Sequence, residues 1–234
     1  MKTRVGLCLS MVALLAFVVL AGAAEKDSAS SPWDKLGKPA APLTGLQWIK
    51  GQPVEIEKGS VYVVEFWATW CPPCRTSIPH LTKLQHQFKD KGVTIIGISN
   101  ETTDKVKPFV DEKAETMDYT VAIDTDRQVS KGYMEAFGVR GIPHAFIVGK
   151  DGNLLWHGHP MAGMDEVLEQ VLSGQFDYAS YAKKKAADEK EEVRLLKLYK
   201  NYFATVGNDA NEAAQAGRQL VEGSDNTMML NSLA

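Results

Sequence analysis

The stretch Val61-Tyr62-Val63-Val64-Glu65-Phe66-Trp67-Ala68-Thr69-Trp70-Cys71-Pro72-Pro73-Cys74 decides the fold. Its first seven residues are a nearly unbroken β-prone run, which suits a central strand buried on both faces. A short turn then leads into the Cys-Pro-Pro-Cys segment. From Pro72 to about Lys89 the apolar residues Ile78, Leu81, Leu84 and Phe88 recur at helical spacing, and Gly92 fits a helix stop. Proline is tolerated in a first helical turn because the N–H groups there lack partners anyway. Cys71 is therefore expected at the helix N-cap, where unpaired N–H groups and the helix dipole favour a thiolate. The thiolate is the attacking species in disulfide exchange. Cys74, one turn further in, is expected to be less exposed and able to resolve a mixed disulfide.

Working outward, Val93–Ser99 reads as a second buried strand and Thr103 to about Lys113 as a helix weakened at Pro108. Tyr119–Ile123 reads as a short strand. Asp126 is expected to cap a helix that runs to about Phe137 and closes at Gly138. Pro143–Val148 and Asn153–Gly158 flank Lys150-Asp151-Gly152-Asn153, a strong hairpin-turn signal. Met164 to about Leu172 is amphipathic and ends near Gly174. On the N-terminal side, Leu46–Ile49 and Val54–Ile56 around Gly51-Gln52-Pro53 suggest a hairpin. Alternating strands and helices imply an α/β fold, with helices on both faces of a sheet that the closing hairpin makes mixed.

The two ends have a different character. Lys2 and Arg4 precede an uncharged stretch, Val5 to Ala24, which closes in Ala21-Gly22-Ala23-Ala24. This is the layout of a secretory signal, with an uncleaved membrane-anchoring helix as the alternative. Residues 1–24 are thus expected to be an export signal, 25–35 a flexible leader, 36–174 the α/β domain and 175–234 an α-helical extension. Tyr178 to Phe203, a helix after Gly207-Asn208-Asp209 and a third helix from about Asp225 suggest a helical tail that docks on the domain or begins a truncated helical repeat.

The whole chain has 234 residues, 3 cysteines and a net charge of −3. Loss of residues 1–24 removes Cys8, Lys2 and Arg4, leaving 24 basic against 29 acidic residues, a charge of −5. No basic excess exists to neutralise phosphates, so nucleic-acid binding is not expected. The exported chain would keep only Cys71 and Cys74, a pair either redox-active or metal-bound. Structural zinc usually takes four Cys/His ligands, and no second Cys-x-x-Cys exists; His80 and His86, six residues apart, lack helical ligand spacing. His157-Gly158-His159 raises copper, but the cysteine spacing is short for it. No metal and no cofactor is expected.

The segment Val64 to Cys74 resembles the thioredoxin active-site segment. Pro79 matches the proline that kinks the thioredoxin active-site helix, and Val139-Arg140-Gly141-Ile142-Pro143 resembles the segment bearing the cis-proline opposite the disulfide. The Trp-Cys-Pro-Pro-Cys form, the export signal, the leader hairpin and the extra Thr103–Ile123 region are more similar to the exported TlpA/ResA-type thiol–disulfide oxidoreductases. Over roughly residues 36–173 the resemblance implies a thioredoxin fold, here with an N-terminal β-hairpin and a C-terminal helical tail. It implies that Cys71 and Cys74 exchange a dithiol for a disulfide, and that Glu65 matches the buried acid thought to relay the proton of the buried cysteine. Burial would raise the pKa of such an acid into a range that suits a general base. It further implies a cis Pro143 that leaves the Ile142 backbone open to a substrate strand, with Trp70, Pro72 and Pro73 at the rim of substrate binding. His144 stands where a threonine is common.

The resulting expectation is an exported, periplasmic oxidoreductase acting on protein disulfides or dithiols, as a reductant supplied by a membrane electron donor. The alternatives are a non-catalytic thioredoxin-fold scaffold that presents the helical tail to a protein partner, and a copper metallochaperone. Pro72 and Pro73 contribute no N–H groups, so the first donors available to the Cys71 sulfur are Cys74 and Arg75. Thiolate stabilisation should accordingly be weaker than in a motif with non-proline central residues. A Pro73→His variant is expected to lower the Cys71 thiol pKa in a thiolate-absorbance titration; an unchanged value removes the argument.

Overall fold

A computed structural model describes residues 31–206 and 210–223. The expected signal at 1–24, the caps at Asn208 or Asp209 and the third tail helix lie outside them. A 3-10 turn, Pro32–Lys35, opens the described chain. It is followed by β1 (Gln47–Lys50), β2 (Val61–Trp67), α1 (Pro72–Phe88), β3 (Val93–Ser99), α2 (Thr103–Glu112) and β4 (Thr120–Ile123). Then come α3 (Gln128–Ser130), β5 (His144–Val148), β6 (Leu154–Gly158), α4 (Met164–Ser173), α5 (Tyr178–Thr205) and α6 (Ala210–Gly223).

The six strands form one sheet in the order β1-β4-β3-β2-β5-β6. β2 runs parallel to β3 and antiparallel to β5, so the sheet is mixed, as the closing hairpin implied. Every residue of β2 is buried, which is why its sequence alternates so little. Successive side chains point to opposite faces. Val61, Val63 and Trp67 enter one core with Cys74, Ile78, Leu81, Leu84 and Phe88 of α1. Tyr62, Val64 and Phe66 enter the other with Tyr133, Phe137 and Phe146.

The N-terminal hairpin does not form. β1 pairs antiparallel with β4, and Val54–Ile56 carries no strand. Gly51 makes the turn at φ 81°, but the chain leaving it does not fold back on β1. The last leader residues, Pro32–Lys35, form the 3-10 turn, and the start of the domain is hydrogen-bonded to β6. Gly37 N donates to Leu154 O at 2.7 Å, Leu154 N to Lys38 O at 2.9 Å and Ala40 N to Gly152 O at 3.0 Å. Residues 37–40 thus run along the start of β6.

The cap assigned to Asp126 belongs to Asp124. Its buried carboxylate accepts from Val129 N at 3.4 Å and Ser130 N at 2.7 Å. Arg127 takes a left-handed conformation at φ 57°, so α3 begins later than expected. It passes at once into a π-helical turn, Lys131–Glu135, with Ala136 N on Lys131 O at 3.0 Å. α5 is capped by Asp177 and packs Tyr181 near the N-terminal turn; its far half pairs with α6, where Tyr202 covers Gly217. Among the described residues, no helix is long and apolar enough to cross a membrane.

Asp124→Ala orphans two buried N–H groups and removes a cap, a loss of ~2–4 kcal/mol. The denaturation midpoint should fall with an unchanged slope.

Candidate functional site: a disulfide over a buried acid

β2 delivers the chain through Ala68, Thr69 and Trp70 to Cys71, the N-cap of α1. Cys71 and Cys74 are joined as a disulfide, with their Cα atoms 5.3 Å apart. Cys74 N donates to Cys71 Sγ at 3.2 Å, the first donor expected. Arg75 N does not reach the sulfur and donates instead to Cys71 O at 3.1 Å. Both cysteines are buried, Cys74 fully. Glu101 fastens the loop before them: its carboxylate accepts from Thr69 N at 2.6 Å and Thr69 Oγ1 at 3.0 Å.

The Ile142–Pro143 bond is cis, and Ile142 O lies 3.8 Å from Cys71 Sγ. The β2/β5 register, Phe66 opposite His144, brings this segment to the disulfide. Trp70, 67% exposed, stands at the rim with Pro72 and Pro73, also exposed. A cavity of about 550 Å³ extends from Trp70 and Ile142 past Ile98 and Met134 to Arg127 and Arg140. The structure therefore brings Cys71, Cys74, Trp70, Pro72, Pro73, Ile142 and Pro143 together at one end of the sheet.

Glu65 sits in the middle of β2, between Gly97 of β3 and Ala145 of β5. These two small neighbours leave room for a carboxyl group inside the sheet's covered face. Glu65 is fully buried, and neither carboxylate oxygen has a hydrogen-bond partner. Burial alone raises its pKa from 4.5 to about 8. By alternation it shares the face of Val63 and Trp67, the face that Cys74 packs on.

His144 has a role the sequence did not reveal. Its Nε2 lies 3.0 Å from His157 Nδ1, on the face opposite Glu65. The His157 ring stacks on Trp33 at 4.3 Å, and Trp33 Nε1 donates to Glu189 of α5 at 3.0 Å. Burial lowers the pKa of His144 to about 4 and that of His157 to about 3, so both rings are neutral at physiological pH. His157 thus bridges the cis-proline segment to Trp33, and through it to the tail. Of the other histidines weighed, His80 pairs with Asp165 and His86 with Asp118. No group of three or more His, Cys, Asp or Glu among the described residues is arranged to hold a metal ion.

The chain matches the AhpC/TSA family over residues 38–157. It is 35% identical over 124 residues to the thiol-disulfide oxidoreductase ResA of Bacillus thuringiensis subsp. konkukian (strain 97-27), covering 52% of this chain and 68% of the relative. ResA of Bacillus subtilis (strain 168) is 30% identical over 156 residues, 65% of this chain and 80% of the relative. A thiol:disulfide interchange protein of the thioredoxin family from Chlorobium tepidum TLS is 30% identical, with a TM-score of 0.49 over 57% of this chain and 95% of that one. A solution structure from Bacteroides thetaiotaomicron, 23% identical, superposes with a TM-score of 0.51 over 59% of this chain and 90% of that one, a likeness of fold.

The buried carboxyl makes stability depend on pH. The folded pKa of Glu65 lies above the unfolded one, so the folded state binds the extra proton between them. Stability is then lost as pH rises from about 4.5 to about 8, by up to ~5 kcal/mol. Glu65→Gln should remove that loss. Unfolding curves of the two proteins should converge near pH 4 and separate at pH 9, the variant being the more stable.

Proposed function

The chain belongs to the AhpC/TSA family and is a thiol–disulfide oxidoreductase, and we propose that it is exported and reduces disulfides in protein substrates. The observation that carries this reading is the Cys71–Cys74 pair at a helix N-cap, beside Ile142 and above a buried, unpaired Glu65. A helix N-terminus favours the Cys71 thiolate, and the Cys74 N–H that now meets its sulfur also serves the anion.

In the reducing direction the Cys71 thiolate attacks one sulfur of a substrate disulfide. That bond breaks, the other sulfur leaves as a thiolate, and a mixed disulfide joins Cys71 to the substrate. Glu65, ionised, takes the proton of the Cys74 thiol. The Cys74 thiolate then attacks Cys71 Sγ, forming the disulfide seen here and freeing the second substrate thiolate. Two electrons pass to the substrate, so a dithiol donor must restore the pair. We assign that supply to a membrane electron donor, because the positively headed, apolar segment before Ala24 supports a periplasmic location. The Ile142 backbone and the rim of Trp70, Pro72 and Pro73 receive the substrate strand.

The tail supports one added role. Val193, Leu196 and Phe203 of α5 are exposed large apolar residues, which suits contact with a protein partner.

Two measurements test the proposal. Cys74→Ser should trap substrates as mixed disulfides at Cys71, and Cys71→Ser should abolish both trapping and turnover. The reduction potential of the pair should lie near about −270 mV, the range of a thioredoxin-type reductant; a value near about −120 mV would make the protein an oxidant.

A further inference from the structure

Gly97 is the β3 residue directly beside Glu65. A Cβ at Gly97 would lie 3.0 Å from Tyr119 Cε2 and 3.1 Å from Trp67 Nε1. Two aromatic edges therefore occupy the space above Gly97, next to the Glu65 side chain. The Tyr119 hydroxyl and the Trp67 indole nitrogen are buried, and like both Glu65 oxygens they have no hydrogen-bond partner. Buried polar atoms are nearly always paired, so an unpaired cluster on one face calls for an explanation. Two donors, Tyr O–H and Trp N–H, stand beside an acceptor that must carry charge once per cycle. Apolar packing would be served as well by phenylalanine at 119.

The other groups around Glu65 do not supply this charge. β3 and β5 bring Gly97 and Ala145. α1 brings Cys74, while Arg75 is exposed and lies over Phe109. The charged residues of α2, Asp104, Lys105, Lys107, Asp111 and Glu112, are all exposed. Burial first, and the Glu65 charge second, push the Tyr119 hydroxyl well above its ordinary range, so it remains a protonated donor.

We propose that Tyr119 is a positioning residue for the resolving step: its hydroxyl, with the Trp67 indole N–H beside it, donates to the Glu65 carboxylate as that group takes the Cys74 proton. The inference rests on the reading of Glu65 as base. In the step itself the Cys74 S–H bond breaks, the proton goes to a Glu65 oxygen and the electron pair stays on sulfur. That sulfur bonds to Cys71 Sγ, and the Cys71–substrate bond breaks to release a thiolate. A donor aimed at the carboxylate stabilises its ionised form and holds the Glu65 pKa below where burial alone would leave it.

The test uses the full chain carrying a thionitrobenzoate mixed disulfide on Cys71. Single-turnover release of thionitrobenzoate is followed against pH, and the Glu65 carboxyl is titrated by infrared difference spectroscopy. Tyr119→Phe is expected to raise the Glu65 pKa and to move the pH profile of release upward together, by about one unit, slowing release at pH 7 by about tenfold. Gly97→Ala, whose methyl crowds Tyr119 and Trp67, should shift the profile the same way and serves if Tyr119→Phe fails to fold. Glu65→Gln should be slow, with this limb of the profile gone. If Glu65→Gln keeps the parent profile, the base reading itself is wrong. If Glu65→Gln behaves as expected but both other variants titrate as the parent does, the Tyr119 inference alone is overturned.

Discussion

One strand with no exposed side holds the arrangement together. β2 is covered on both faces and paired on both edges, so its register admits no slip: a one-residue shift would exchange the side chains of the two cores. At roughly 1.5–3 kcal/mol for each large apolar side chain buried, its Val, Phe and Trp residues impose that register strongly. Three features of the site follow from it. Glu65 falls between Gly97 and Ala145, the smallest residues of the two strands that flank β2. The strand's end hands Cys71 to the start of α1. The antiparallel pairing with β5 carries Ile142 and Pro143 to the sulfur. The carboxyl group is a cost the fold bears, and the surrounding apolar packing offsets it.

Much of this was legible from the residues, for a specific reason. Runs such as Val61–Trp67 and Val93–Ser99 are buried on both faces, and their composition alone marks their limits. Cys71 and Cys74 are legible because proline fixes the first turn of α1. Glu65 could be placed by resemblance, and the structure adds why it is tolerated: Gly97 and Ala145 lie beside it. What escaped depended on pairing between distant segments. Gly51-Gln52-Pro53 marks a turn correctly but cannot name a partner, and β1 found β4 rather than Val54–Ile56. Asp126 alone reads as the cap in sequence; the left-handed Arg127 delays α3, and the buried Asp124 carboxylate takes the Val129 and Ser130 N–H groups instead. Tyr119, Trp67 and Gly97 come together only once the registers of β2, β3 and β4 are known. The same holds for His144 and His157, which are separated by a hairpin, and for Trp33 and Glu189, which lie near opposite ends of the described chain.

The site's two faces are unlike. On the face holding Glu65 the buried carboxyl oxygens, the Tyr119 hydroxyl and the Trp67 indole nitrogen have no hydrogen-bond partner, conditions under which a proton's position is set by a few neighbours. The opposite face carries the cavity beside Trp70 and the paired histidines behind the cis-proline segment. The buried carboxyl and this cavity thus lie on opposite faces of one sheet.

The segment at 37–40 has a further consequence. β6 lies at the margin of the sheet, where unpaired N–H and C=O groups invite another chain to add itself. Hydrogen bonds from residues 37, 38 and 40 occupy the first part of that margin, and the Trp33 ring, gripped by Glu189, closes over His157. The opposite margin is β1, only four residues long. The chain's own residues 37–40 thus shield one margin of the sheet from strand addition by another chain.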